Sequence, residues 1–359
     1  MATIVLAGGG SAGHVEPALA VAREWMKLHP LDTIVFIGTA NGLENRLVPA
    51  SGFTLAHIPK VTISRKLSLT WLSIPFSLIR AVRSSRVILR DADLLFGFGG
   101  YVSAPAYIAA RLLAVPTVVH EANAKPGWAN RIGASLTNYV AVAGGVTSKK
   151  FAHAVITGLP LRSDVALAYS ASHKNWPKAR QDAKARLGFS EHKPLLFIMG
   201  GSQGSVAINA VVAPALAGLL KLDMSILHSI GSANQLPPAR EGYRPVAYVD
   251  SMADAYLGSD LVIGRSGAVT CSEFRAIGRY ALFIPLPVGN GEQFFNANSI
   301  VKDGRAQILV QSMFTPDYIQ NHIVELLVRA DNSPMQGSDI DVNAAAKIVA
   351  LGESAILKK

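Results

Sequence analysis

Only one cysteine, Cys271, occurs in 359 residues. That excludes an intrachain disulfide and any cysteine-rich metal site, and makes a reducing compartment the expectation. No apolar run approaches the roughly 20 residues that cross a bilayer, and the chain enters a strand-like stretch without the basic and apolar segments of a secretory leader. A soluble, cytoplasmic chain is therefore expected. No Gly-Lys pair occurs anywhere, which excludes a Walker A phosphate loop. Aromatic residues make up 7% of the chain, and neither a nucleic-acid recognition motif nor a ladder of stacking side chains is present, so no nucleic-acid partner is expected. What the chain has is apolar residues, 50% of the total, enough at this length for two cores of about 150 to 200 residues each.

Acidic residues are scarce in the first half. Residues 1–162 carry 16 Lys and Arg against 7 Asp and Glu, and the remainder 18 against 17, so the net charge of +10 belongs almost entirely to the N-terminal half. The excess concentrates in KVTISRKLSLTWLSIPFSLIRAVRSSRVILR, residues 60–90, where seven basic residues meet no acidic one and bulky apolar groups share the stretch. Three readings are open: contact with an anionic membrane surface, which attracts each Lys or Arg by about 1 kcal/mol; a helix with an apolar core face and a solvated basic face; and nucleic-acid contact. The membrane reading accounts for both properties and names Arg65, Lys66, Trp71, Phe76, Ile79, Arg80 and Arg83 as membrane-facing.

Short apolar runs alternate with helical patterns: TIVLAG, TIVFIG, DLLFGFG, VPTVVH and YVAVAG in the first half, and PLLFIMG, MSILHSIG, DLVIG, YALFIPL and AQILV after about residue 190. Such alternation predicts parallel β-α-β units, here built twice. Expected boundaries are 1–162 for an N-terminal domain and 163–340 for a C-terminal one, with a hinge near Pro160 to Asp164. Residues 172–194 read as a polar, charged break between the halves, and residues 332–340 as a loop. The stretch 341–359 reads as an amphipathic helix that packs on one of the two domains.

Both halves carry a glycine-rich turn between strand and helix, AGGGSAGHVEP at residues 7–17 and GGSQGS at 200–205. Glycines let backbone N–H groups approach a phosphate, and a following helix favours anions. The first turn has the spacing G-x-G-x-x-G, but a dinucleotide site also needs an acidic residue at the end of the second strand, and that strand ends in Gly38 and Thr39. NAD binding is disfavoured. Farther on, RSGAVTCSE (265–273) predicts a helix opened by Gly267, with the N–H groups of Ala268, Val269 and Thr270 available to a phosphate and Glu273 one turn below to accept from ribose hydroxyls. Gln293 and nearby asparagines in EQFFNAN add amides of the kind that select among sugar hydroxyls.

The motifs GGSAGHVEPALAVA, GFGGYVSAPAYIAA, HEANAKPG, TGLPLR, GGSQGS, YVDSM, RSGAVTCSE and EQFFNAN, in this order and spacing, resemble the MurG family of peptidoglycan glycosyltransferases over residues 7 to about 309. The resemblance implies an α/β chain of GT-B fold, two Rossmann-like domains with parallel sheets facing across a cleft. It further implies inverting transfer of N-acetylglucosamine from UDP-N-acetylglucosamine to the C4 hydroxyl of the muramoyl sugar of lipid I, giving lipid II. On the same basis the uracil lies against Val249, the ribose on Glu273, the diphosphate on Ser202, Arg162 and the helix opened by Ala268, Val269 and Thr270, and the sugar on Gln293. Asn123, Ser11, Ala12 and Gly13 line the donor sugar from the N-terminal side. The partners implied are the UDP-sugar, lipid I and an anionic membrane surface, which puts a peripheral enzyme on the cytoplasmic face of the cell membrane.

His14 is the candidate general base, since imidazole titrates near neutral pH. Its alternative role is binding acceptor phosphate. Arg162 and helix N-termini would stabilise the departing UDP, so no cofactor and no metal are expected. The D-x-D spacing of Asp91 to Asp93 precedes a strand, the wrong end for an open α/β site, and reads as a solvated turn. Another UDP-sugar transferase of the same fold with a different glycolipid or small-molecule acceptor is the nearest alternative, and a non-catalytic nucleotide-sugar module the more distant one.

Overall fold

The computed structural model describes residues 1–61, 74–144, 147, 151, 153–201, 203–288 and 290–358. Of the candidate residues, Arg65, Lys66, Trp71 and Ser202 lie outside the described residues. The chain divides into two compact units, Met1–Arg162 with Ile340–Lys359, and Ser163–Asp339.

The first unit holds a seven-stranded, all-parallel sheet in the order β3-β2-β1-β4-β5-β6-β7. Its strands are β1 (Thr3–Gly8), β2 (Thr33–Gly38), β3 (Thr54–His57), β4 (Leu94–Gly99), β5 (Thr117–Glu121), β6 (Tyr139–Val142) and β7 (Ala154–Ile156). β4, and β1 after its opening Thr3, are apolar because helices cover both faces of the sheet. The helices are α1 (Ala12–Leu28), α2 (Glu44–Ala50), α3 (Ile74–Ile88), α4 (Ser103–Leu112) and α5 (Trp128–Ser135). Leu19 and Trp25 of α1 pack on one face, and Ala81 and Leu89, with Ala106 and Ala109 of α4, on the other. The C-terminal helix, Ala344–Leu357, joins the α1 face through Ile348, Val349 and Ala355. Gly352 permits this approach, since a Cβ there would stand 2.4 Å from the Phe96 ring.

The second unit repeats the plan with six parallel strands in the order β10-β9-β8-β11-β12-β13. They are β8 (Leu195–Met199), β9 (Ser225–Ser229), β10 (Tyr243–Val246), β11 (Leu261–Gly264), β12 (Tyr280–Phe283) and β13 (Ala306–Ile308). Its helices are α6 (Ser163–Ser172), α7 (Trp176–Arg186), α8 (Val206–Leu220), α9 (Met252–Gly258), α10 (Ala268–Ile277), α11 (Glu292–Lys302) and α12 (Pro316–Asp331).

One sequence expectation fails here. Residues 172–194 are no simple break, because α7 occupies the middle of them: the Asn175 side chain accepts from the Lys178 N–H at 3.1 Å, and Pro177 sits in the first turn, where its missing N–H costs nothing. Two of the charges that suggested a solvated segment, Arg180 and Lys184, point inward. Lys184 Nζ reaches Asp260 at 2.8 Å, and Arg180 donates to the carbonyls of Leu257 and Met335.

In each sheet the strand order reverses once, between β1 and β4 and between β8 and β11. Ligands of open parallel sheets gather at the carboxyl ends beside such a reversal. The two glycine turns follow β1 and β8, and their neighbours across the reversal, GFGG and GRSG, follow β4 and β11.

Candidate active site

Between Gly8 and Ala12 the chain must turn from β1 into α1, and Gly10 takes a φ of +87°, a region that side-chain-bearing residues avoid. His14 lies in the first turn of α1, its Nδ1 3.2 Å from the Gly9 carbonyl and 3.2 Å from Ser11 Oγ. A carbonyl only accepts, so Nδ1 carries the proton and Nε2 is the basic nitrogen. The turn after β4 closes on the same ring: a Cβ on Gly99 would stand 3.2 Å from His14 Cδ2, and one on Gly100 2.5 Å from the Gly9 carbonyl oxygen. Burial lowers the His14 pKa, while the charges of Glu121 and Glu44 and the Gly9 carbonyl pull it part of the way back, and the net is a value below the ordinary one. Ser11, Ala12 and Gly13 are partly exposed beside it.

Two carboxylates absent from the sequence reading hold this corner. Glu121, buried at the end of β5, accepts through Oε1 from the Asn123 N–H at 2.8 Å and Asn123 Nδ2 at 3.1 Å, and through Oε2 from the Gly127 N–H at 2.9 Å and Asn130 Nδ2 at 3.1 Å. The HEANAKPG loop is therefore wrapped around one negative charge, and Asn130 is fixed in turn by Tyr107 Oη, which donates to its Oδ1 at 2.8 Å. Glu44, 0% exposed at the start of α2, accepts from the Gly10 N–H at 2.9 Å and from the N–H and Oγ1 of Thr39 at 2.9 and 3.1 Å. The first turn thus brings together Ser11, Ala12, Gly13 and His14, and Glu121 links Asn123 to them electrostatically.

In the second unit, β11 delivers Arg265 and Ser266, and Gly267 precedes α10, whose first turn contains Ala268, Val269 and Thr270. First-turn N–H groups lack intrahelical partners, and the helix dipole adds partial positive charge, so this end suits an anion. Glu273, one turn below, is 1% exposed, unlike the solvated glutamates usual on helices. Arg265, unassigned by the sequence, is buried: Nη2 donates to Ser205 Oγ at 2.9 Å and Gln311 Oε1 at 2.6 Å, and Nη1 to the carbonyls of Ile284 and Pro285 at 2.9 and 3.2 Å. One guanidinium therefore ties the GGSQGS turn to the segment before α11. There Gln293 Oε1 accepts from the Leu286 N–H at 3.0 Å, and Asn296 Nδ2 donates to the Ser266 carbonyl at 3.3 Å. Val249 is buried in the turn before α9, a helix that packs on α10. Arg162 is the last residue of the first unit and is partly exposed.

Sequence profiles of the glycosyltransferase family 28 N-terminal and C-terminal domains match residues 4–142 and 195–350. The chain belongs to glycosyltransferase family 28. It is similar to the UDP-N-acetylglucosamine-N-acetylmuramyl-(pentapeptide) pyrophosphoryl-undecaprenol N-acetylglucosamine transferase of Streptomyces coelicolor, 40% identical over 331 residues that cover 90% of this chain and 89% of that one. The enzyme of the same description from Corynebacterium diphtheriae is 42% identical over 331 residues, 90% of this chain and 88% of that one. Among solved structures, Acinetobacter baumannii MurG superposes with a TM-score of 0.71 at 26% identity, covering 99% of this chain and 100% of that one. The calicheamicin glycosyltransferase CalG4, at 14% identity and a TM-score of 0.66 over 100% of this chain and 99% of that one, shares the fold alone. The two Rossmann-like units are those of the GT-B class.

Asp93 and Cys271 lie apart from this chemistry. Asp93 Oδ2 accepts from the Thr3 N–H at 2.9 Å, which makes the D-x-D spacing a brace at the amino ends of β1 and β4, opposite the glycine turns. Cys271 is buried, and burial pushes its thiol up to about 12, too high for a nucleophile at neutral pH.

Proposed function

We infer that this chain transfers N-acetylglucosamine from UDP-N-acetylglucosamine to lipid I, the undecaprenyl-pyrophosphate-linked N-acetylmuramoyl-pentapeptide, giving lipid II in peptidoglycan synthesis. The observation that carries this is 40% identity sustained over 90% of the chain to a relative described by that activity. The chemistry needs a base for the attacking C4 hydroxyl and stabilisation of the departing UDP. The first unit supplies the base, His14 Nε2, its ring set by the Gly9 carbonyl and its basicity supported by Glu121 and Glu44. Ser11, Ala12, Gly13 and Asn123 face the sugar.

Most of the donor site is in the second unit. Val249 bears on the uracil, Glu273 accepts from the ribose hydroxyls, Gln293 holds the sugar, and the N–H groups of Ala268, Val269 and Thr270 take the diphosphate together with Ser202 and Arg162. A single displacement from the face opposite UDP inverts the anomeric carbon. Leaving-group charge is met by Arg162 and helix N-termini, so transfer proceeds in EDTA.

The acceptor's lipid lies in a membrane, and α3 presents a face to reach it. Phe76 and Ile79 are 72% and 49% exposed, and Arg80 and Arg83 are exposed beside them, while Ala81, Ser85 and Leu89 turn inward. No described helix is long and apolar enough to cross a bilayer, and this amphipathic face supports a peripheral seat on the membrane surface, assigned to the cytoplasmic leaflet with the proposed reaction. The test is transfer of radiolabelled N-acetylglucosamine to a lipid I analogue with EDTA present; a β-linked product at C4 is expected. Saturable binding of the UDP-sugar with no transfer to lipid I, but transfer to another glycolipid, would replace this reading with a different acceptor.

A further inference from the structure

We propose that Glu44 is a positioning residue of the transfer reaction, its carboxylate filling the anion position of the first glycine turn and holding that turn, with His14, in working register. The proposal rests on the reading of His14 as base. Its ground is geometric. Glu44 is fully buried, and its two oxygens take the Gly10 N–H, the Thr39 N–H and the Thr39 hydroxyl at 2.9 to 3.1 Å. Three glycines leave room for it: a Cβ at Gly9, Gly38 or Gly42 would stand 2.8, 2.6 or 1.9 Å from its side chain.

The chain thus sets aside glycine in three separate places to seat one carboxylate under the turn. Burial alone would raise the Glu44 pKa, yet the N–H donors from Gly10 and Thr39 hold it below the usual carboxylate range, so the group is charged at neutral pH. The Gly10 N–H, which a G-x-G-x-x-G turn would offer to a phosphate, is already taken by an internal anion. The same link explains why the second strand ends in Thr39 rather than an acid: Thr39 donates inward to Glu44 instead of serving a ribose. His14 is faced by Glu44 from α2 and Glu121 from β5, with the neutral amide of Asn130 from α5 close by.

The test compares Glu44→Gln and Glu44→Asp with the parent chain, reading the His14 imidazole titration by NMR, kcat, and KM for UDP-N-acetylglucosamine. Removing a negative charge that faces the imidazole makes the charged ring less favourable, so in Glu44→Gln His14 titrates at lower pH and the acidic limb of the rate profile moves with it. The amide also brings an N–H2 against N–H donors, which shifts the turn, and kcat falls by about 10²-fold while donor KM stays within about twofold. Glu44→Asp restores the charge and brings the titration back toward the parent value.

A residue that merely stabilised the fold would leave the titration unmoved. A folded Glu44→Gln chain with parental His14 titration and parental kcat overturns the proposal. Should Glu44→Gln not fold, Thr39→Val carries the test: it removes one donor to the carboxylate and is expected to lower kcat severalfold at unchanged donor KM, and parental kcat would overturn the proposal. If His14→Ala retained full turnover, the base reading would fall, whereas the titration shift in Glu44→Gln would still report the coupling.

Discussion

Replacing Gly100 by alanine asks whether the crossing of the two glycine turns is what seats His14. Gly100 has a φ of +86°, and a left-handed backbone costs an L-residue about 1 to 2 kcal/mol. Its added Cβ would also stand 2.5 Å from the Gly9 carbonyl oxygen and 3.2 Å from His14 Nδ1, and overpacking of that kind costs a further 1 to 3 kcal/mol, roughly. Gly52 is the internal control: its φ is +81°, and nothing lies within 4 Å of an added Cβ, so Gly52→Ala carries the backbone cost alone. Hydrogen exchange by mass spectrometry on peptides covering β1 and β4 reads both. Slow amides of the first unit should exchange about 5- to 30-fold faster in Gly52→Ala, and about 30- to 5,000-fold faster in Gly100→Ala. Transfer should be near parental in Gly52→Ala and lower by about 10²-fold in Gly100→Ala, where the displaced carbonyl no longer orients the imidazole. Equal exchange and equal turnover in the two variants would refute the reasoning.

Three further outcomes follow from the same geometry. Arg265→Lys keeps a charge but cannot span Ser205, Gln311 and the two carbonyls, so calorimetry should find UDP binding weaker by about tenfold, as for the loss of one charged hydrogen bond; unchanged affinity would make Arg265 a packing residue only. His120 and His228 are buried with pKa values lowered to about 4 by desolvation, so each favours the folded state fully above the unfolded imidazole value and loses that contribution as pH falls from about 6.5 toward 4, up to about 3 kcal/mol each. The melting temperature should drop steeply across that window, and a flat profile from pH 7 to 4.5 would contradict the assignment. Arg80→Gln with Arg83→Gln should weaken sedimentation with anionic vesicles by about 30-fold at low salt, at about 1 kcal/mol per cation, and leave binding to neutral vesicles unchanged; loss on both would point to Phe76 and Ile79 instead.

Strands buried on both faces were legible because nothing polar interrupts them: TIVFIG and LLFIM stand where β2 and β8 do. The short edge strands β3, β7 and β10 went unread, since four residues or fewer with one exposed face carry little pattern. α7 was misread for a different reason. Lys184 and Arg180 look solvated in sequence, and only Asp260, some 76 residues on, and carbonyls from 77 to 155 residues away make them interior groups. The site divides along the same line. His14, Asn123 and the α10 turn sit in local motifs, whereas Glu44 lies 34 residues from the Gly10 N–H it receives, and Arg265 46 from Gln311. Glu121 had a local signal, an acid closing the apolar run VVHE, but its amide neighbour Asn123 drew the assignment.

The most direct test of the account is a His14→Ala chain in which donor binding and turnover are measured side by side, by calorimetry with UDP-N-acetylglucosamine and by transfer to a lipid I analogue. Most donor contacts are assigned to the second unit and the base to the first, and His14 is not among the donor contacts. A donor Kd within about twofold of the parent is therefore expected, with a kcat lower by about 10²- to 10⁴-fold, the usual worth of a general base. Parental turnover in His14→Ala, or donor affinity lost along with it, would contradict the division of labour on which the proposed reaction rests.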